Sequence, residues 1–181
     1  MSTVRPTKEP YTRPSALQST RRRIRIDRAL RRAQGGNSEA FGTFYDLTHA
    51  AVYDYLFFRT DDEKIAHGLL AATYLSALKR IKEIRPVGVT AEVWIMQIAR
   101  ETATARLHDS FGLAIVAYGT EREHKIQAMK QLDSAHQECL VLWAFLGFGV
   151  GDISAILGVP LNNVTTMLES ALQMVDNLLR L

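Results

Sequence analysis

The chain has 181 residues, 47% of them hydrophobic, a single cysteine and a formal net charge of +3, which is enough apolar material for one ordinary domain or two small ones. No apolar run approaches the roughly 18 residues of a membrane span, and the N-terminus is polar and arginine-rich instead of a basic tip followed by an apolar stretch. Neither a membrane helix nor a secretory signal is read, and the lone Cys139, set in the apolar run ECLVLWAFL, predicts a core thiol in a reducing cytoplasm.

The charge is unevenly spread. Residues 1–35 hold ten Lys or Arg against Glu9 and Asp27, a balance of +8, so the remainder carries −5 of the total of +3. The first part of this segment, with Pro6, Pro10 and Pro14 and few large aliphatics, predicts disorder. From Ser19 its character changes: Ser19 or Thr20 can cap a short basic helix, Ile24, Ala29 and Leu30 can face inward, and Gly35-Gly36 stops it. Such a basic arm, with Arg21, Arg22, Arg23, Arg25, Arg28, Arg31 and Arg32, suits nucleic-acid phosphates, an acidic protein surface or a purely solubilising role.

Next, Asn37 or Ser38 begins a helix whose inward face takes Phe41, Phe44, Tyr45, Thr48, Ala51, Val52, Tyr55 and Leu56. A turn near Thr60 to Asp62 starts a second helix, in which Ile65, Leu69, Leu75, Leu78 and Ile81 form the expected buried stripe before Pro86 and Gly88 end it. Thr90 caps a third, with Glu92 in its first turn and Trp94, Ile95, Ile98, Ala99 and Ala103 available to pack. Three helices with short connections predict an antiparallel helical unit over 36–108.

A linker, 109–128, follows. It is long enough for a tether, and its LAIVAY stretch is apolar enough to pack on a domain or to accept a partner. Residues 129–181 then show three apolar-periodic segments separated by GFGVG and LGVP, the punctuation of a helix-turn-helix. Gly158 stops the short middle helix, Pro160 cannot continue it, and Asn162 or Asn163 can cap the last one. In that last helix Val164, Met167, Leu168, Ala171, Leu172, Val175, Leu178 and Leu179 form one stripe, with Thr165, Thr166, Glu169, Ser170, Gln173 and Asp176 opposite.

Catalysis finds no constellation. The histidines at 49, 67, 108, 124 and 136 show no metal-ligand spacing, no glycine-rich phosphate loop follows a strand, and the His136 and Cys139 pair lacks an orienting third group. No catalytic residue, metal or cofactor is expected.

The C-terminal stretch GDISAILGVPLNNVTTMLESAL resembles the corresponding domain of the extracytoplasmic-function (ECF) class of bacterial RNA polymerase sigma factors, whose motif reads approximately E-I-A-x-x-L-G-V-x-x-G-T-V-K-S-R-L-x-R-A-R. Ile153, Leu157, Gly158, Val159, Val164, Leu168 and Ala171 match its packing positions, while its Lys and Arg positions are here Thr165, Met167, Ser170 and Leu172. The first unit is similar to the family's opening G-D-x-x-A-F-x-x-L-Y through Gly36, Asn37, Ala40, Phe41, Phe44 and Tyr45, and to its later W-L-x-x-I-A-R-N through Trp94, Ile95, Ile98, Ala99 and Arg100.

The resemblance implies an all-α chain of two small helical domains, 36–108 and 129–181, that binds core RNA polymerase and promoter DNA and is held by an anti-sigma factor, with no membrane partner. The family's polymerase-contacting D-A-E-D-x-x-Q falls on Asp61, Asp62, Glu63, Lys64 and His67, with a carboxylate replaced by Lys64 and the Gln by His67. On the residues alone, Asp61 to Glu63 is a cluster favoured by the helix dipole. Contacts to the minus-ten promoter element fall by resemblance on Trp94, Arg100 and Arg106, and those of the recognition helix on Asn162, Asn163, Thr165 and Thr166. Two functions follow: a working sigma factor aided by its basic arm, or a degenerate sigma-like module that binds protein partners without specific DNA binding.

Overall fold

The computed structural model describes residues 16–82, 88–107 and 128–179, and every regular element among them is helical. The proline-bearing segment expected to be disordered, Pro86, and the linker up to residue 127 lie outside the described residues.

The helices are α1 (Ala16–Gln34), α2 (Ser38–Thr60), α3 (Glu63–Arg80), α4 (Ala91–Leu107), α5 (Ser134–Leu140), α6 (Val150–Leu157) and α7 (Leu161–Leu179). The basic segment forms the expected helix, which begins at Ala16, so Ser19 and Thr20 lie inside it and do not cap it. Ile26, Ala29, Leu30 and Ala33 are buried, at helical spacing, on a face that meets α2 and α4. Ile24, expected inward, is 49% exposed because a two-residue offset from Ile26 points it to the opposite side of the helix.

Asn37 caps α2 by accepting the Ala40 N–H at 2.9 Å. Asp61, with φ of 54°, ends that helix in the left-handed region. Asp62 then caps α3 by accepting the Ile65 N–H at 2.9 Å, so the turn at 60–62 costs a single strained residue.

The buried face of α3 differs from the expected stripe. Leu69 and Ile81 are buried, but Ile65, Leu75 and Leu78 are 45%, 61% and 51% exposed. Ala66, Leu70, Thr73, Tyr74 and Ala77 take their place. Small side chains at 66, 73 and 77 leave room for the bulky α2 face, where Tyr74 lies 4.7 Å from the Tyr45 ring and its hydroxyl is 2.7 Å from that of Thr48. Phe44, Tyr55 and Leu56 of α2 are fully buried, each contributing about 1.5–3 kcal/mol through removal from water.

Thr90 caps α4 through the Val93 N–H at 3.3 Å, and Asp27 of α1 accepts the Ala91 N–H at 2.8 Å. That second cap comes from another helix. It leaves Arg22 to pair with Glu92 in the first turn of α4.

In the C-terminal half α5 is capped by Asp133 and continues into a π-helical turn over Val141–Phe145, where the Leu146 N–H reaches the Val141 carbonyl at 3.1 Å. Gly158, φ of 70°, ends α6 as expected. Neither Asn162 nor Asn163 caps α7, because the helix already begins at Leu161 and the Pro160 carbonyl accepts from Asn163 and Val164 N–H at 3.0 and 3.2 Å. Val164, Leu168 and Ala171 are buried, whereas Leu172 and Leu179, expected on the same stripe, are exposed. The two halves share one continuous apolar core, with α4 lying against α6 and α2 against the π-helical turn.

Candidate functional site at the junction of the two halves

Glu138 of α5 is 4% exposed and is approached from three sides. The Tyr55 hydroxyl donates to its Oε1 at 2.5 Å, the Arg100 Nε–H donates to the same oxygen at 3.1 Å, and Arg59 Nη1 stands 3.6 Å from Oε2. Tyr55 and Arg59 come from α2 and Arg100 from α4, so one carboxylate ties two helices of the first half to the second. Burial, and then the Glu138 charge, push the Tyr55 hydroxyl well above its ordinary pKa, so it stays a proton donor. The same seam is closed by the Gln97 amide donating to the Ala155 carbonyl at 2.7 Å and by an Arg23–Asp152 ion pair, with Arg23 also 3.9 Å from Glu92. A buried carboxylate among such partners resists separation, since parting the halves strips it of the donors that offset its burial in a poor dielectric.

Three outer faces remain open. On α3, Lys64, His67, Ala71, Leu75 and Leu78 recur at intervals of three and four, and all are exposed. On α7, Asn162, Asn163, Thr165, Thr166 and Glu169 are exposed, and no Lys or Arg occurs between Val150 and Leu179. On α1, Arg21, Arg25, Arg28, Arg31 and Arg32 are exposed.

No model of a known protein family matches the chain. It is 26% identical over 188 residues to the ECF RNA polymerase sigma factor BldN of Streptomyces coelicolor, covering 93% of this chain and 70% of that protein. It is 22% identical over 174 residues to the ECF RNA polymerase sigma factor SigK of Mycobacterium tuberculosis, covering 85% of this chain and 93% of that one. Over most of its length the chain is thus similar to ECF RNA polymerase sigma factors. In fold, the sigma-like chain resembles CnrH, solved in complex with the cytosolic domain of CnrY, with a TM-score of 0.65, 19% identity and coverage of 87% of this chain and 96% of that one. It also resembles the sigma factor RpoE of Bartonella quintana, solved with the anti-sigma factor NepR, with a TM-score of 0.64, 16% identity and coverage of 78% and 97%.

The residues that the family resemblance selects fall into different environments in the sigma-like chain. Asp61, Asp62, Glu63, Lys64 and His67 come together on the exposed corner between α2 and α3. Two of them also hold the turn, Asp61 as the left-handed residue and Asp62 as the cap. His67 Nδ1 lies 2.7 Å from the Glu63 carbonyl, and its ring leans on Tyr53 at 4.7 Å. Trp94 is a core residue, 9% exposed and 6.3 Å from the Phe44 ring, so its size serves packing. Arg100 is taken up by Glu138, while Arg106 is exposed at the end of α4, well around the helix from Arg100. Asn162, Asn163, Thr165 and Thr166 share the exposed start of α7, although the two threonine hydroxyls donate back to the Leu161 and Asn162 carbonyls at 3.2 and 3.1 Å. Of the basic segment, Arg22 and Arg23 are engaged with α4 and α6, and the other five arginines face outward.

Sequence reasoning missed Tyr55, Arg59 and Glu138 as a group. Their one signal is a charge embedded in an apolar run, Arg59 in YLFFRT and Glu138 in QECLVL. Cys139, next to Glu138, is fully buried, and burial followed by the Glu138 charge raises its thiol to about 11. It stays protonated and inert as a nucleophile. His136 instead faces Asp133, 2.6 Å away. Among the described residues no group of three or more His, Cys, Asp or Glu could hold a metal ion, and no helix is long and apolar enough to cross a membrane.

Proposed function

We propose that this chain works in the cytoplasm as an ECF-type sigma factor, a binding protein and not an enzyme, that docks on core RNA polymerase through the α2–α3 corner and the outer face of α3. The role in transcription initiation rests on similarity along 93% of the chain to BldN and 85% to SigK. The observation that carries the docking surface is the exposure of Leu75 and Leu78 beside Lys64 and His67. Apolar side chains rimmed by charge are what a protein partner buries, and they contribute nothing to this chain's own core. Residues 36–108 and 129–181, in this reading, are two functional domains latched by Glu138, and an anti-sigma partner would hold or replace that latch.

A second reading, a sigma-like module that works through proteins alone, is favoured by one observation: α6 and α7 carry no Lys or Arg. Recognition of a major groove ordinarily leans on several phosphate contacts. One pair of measurements separates the two. Capture of core polymerase by the intact chain is expected, with loss of capture in Leu75→Asp/Leu78→Asp at unchanged helix content. Run-off transcription from a cognate promoter then supports the sigma factor, and capture without transcription supports the protein-only module. Absence of capture, or capture indifferent to both substitutions, sinks the docking surface.

A further inference from the structure

The exposed arginines of α1 are ordered. Arg21, Arg25, Arg28 and Arg32 are spaced by four, three and four residues, which puts them on a single stripe about 16 Å long at 1.5 Å per residue. Arg31 and the half-exposed Ile24 flank it. Among the described residues no side-chain hydrogen bond or ion pair engages this stripe. Arg22 and Arg23, which do hold α1 to α4 and α6, lie off it, and the packing face is Ile26, Ala29, Leu30 and Ala33. Asp27 is the only acid in α1, and it is turned inward to cap α4. Like charges at such spacings repel along a helix, so the stripe lowers the stability of α1 until an anion neutralises it.

We infer that the Arg21–Arg25–Arg28–Arg32 stripe is a docking surface for the phosphate backbone of duplex DNA. Three observations fit a polyphosphate. Every basic residue of α1 is Arg, with no Lys, and the guanidinium fork matches phosphate oxygens. The stripe is long and straight, as a strand backbone with one charge per about 3.4 Å requires. Residues 129–181 bear Lys130 and Arg180 against five acids, a balance of −3, so the helix-turn-helix half lacks the sequence-independent attraction that α1 supplies. The choice of DNA over an acidic protein rests on the proposed role in transcription initiation; the stripe itself does not.

The test uses the intact chain and a short duplex of arbitrary sequence, since backbone contacts carry no sequence information. Anisotropy titrations at about 50 and 200 mM salt compare the wild type with R21Q/R25Q/R28Q/R32Q, whose helix content is checked by circular dichroism. Four lost phosphate contacts lower the log–log salt slope by roughly 3.6, so raising the salt should weaken the wild type by about 100-fold more than the variant. An R21K/R25K/R28K/R32K variant, which keeps the charge, should retain most of the slope. No duplex binding by the wild type, or equal affinity and slope in wild type and Gln variant, overturns the inference. So does stripe-dependent binding of polyglutamate by a chain that ignores the duplex. Capture of core polymerase is read separately, so a chain that binds duplex through the stripe without binding polymerase loses the proposed function and keeps this surface.

Discussion

Helices α3 and α4 are nearly the same length, 18 and 17 residues, and both carry apolar side chains around much of their circumference. Yet α3 turns Ile65, Leu75 and Leu78 to solvent, whereas α4 buries Val93, Trp94, Ile95, Met96, Ile98 and Ala99. The difference lies in their neighbours. Among the described residues α3 packs chiefly against α2 and α4, while α4 packs against α1, α2, α3 and α6. The exposed apolar face on one helix is the surface proposed above for a partner, and the enclosed one on the next is already occupied within the chain.

The comparison breaks most readily at the latch that keeps α4 enclosed. Replacing Glu138 with Ala removes the carboxylate 3.6 Å from the buried Arg59 and the acceptor of Tyr55. Loss of one member of a buried ion pair costs about 3–5 kcal/mol, and the lower end applies because the Arg100 side chain is 36% exposed and partly screened. Urea denaturation measures it, and a loss below about 1 kcal/mol would mean that the halves are not latched in solution.

A smaller effect sharpens the contrast between the helices themselves. Ile98→Ala, inside the enclosed face, should cost about 2–3 kcal/mol through a lost apolar contact and a residual cavity. Leu78→Ala, on the open face, should stay within about 0.5 kcal/mol while weakening capture of core polymerase. Comparable losses from both would place Leu78 in a packed core and remove the docking face.

The smallest effect concerns how the second half starts. Asp133 caps α5, and its carboxyl is held below the ordinary value of 3.8, chiefly by the backbone hydrogen bond from His136. A folded-state value below the unfolded one contributes stability that is present above pH 3.8 and is lost as pH falls through the lower folded value. Asp133→Asn should therefore flatten the acid limb of the stability profile while leaving the cap in place near neutrality. An unchanged acid limb in that variant would show that the cap carboxylate is not what titrates there.

Local chemistry made much of this protein legible from its residues. Asn37, Thr90 and Gly158 act where their types require, because caps and left-handed turns depend on a few atoms close in sequence. The all-α class, the inward face of α2 and the packing residues of α4 follow likewise from periodicity. What periodicity does not carry is the identity of the neighbour. The arrangement of large aliphatics in α3 pointed to Ile65, Leu75 and Leu78 as core, but the aromatic face of α2 selects the smaller Ala66, Thr73 and Ala77 instead. Asp27 capping a helix 64 positions away, and Glu138 drawing Tyr55, Arg59 and Arg100 to one point, are likewise decisions of tertiary structure. A buried charge is tolerable only when partners converge on it, and convergence of residues from three helices is a property of the packed chain.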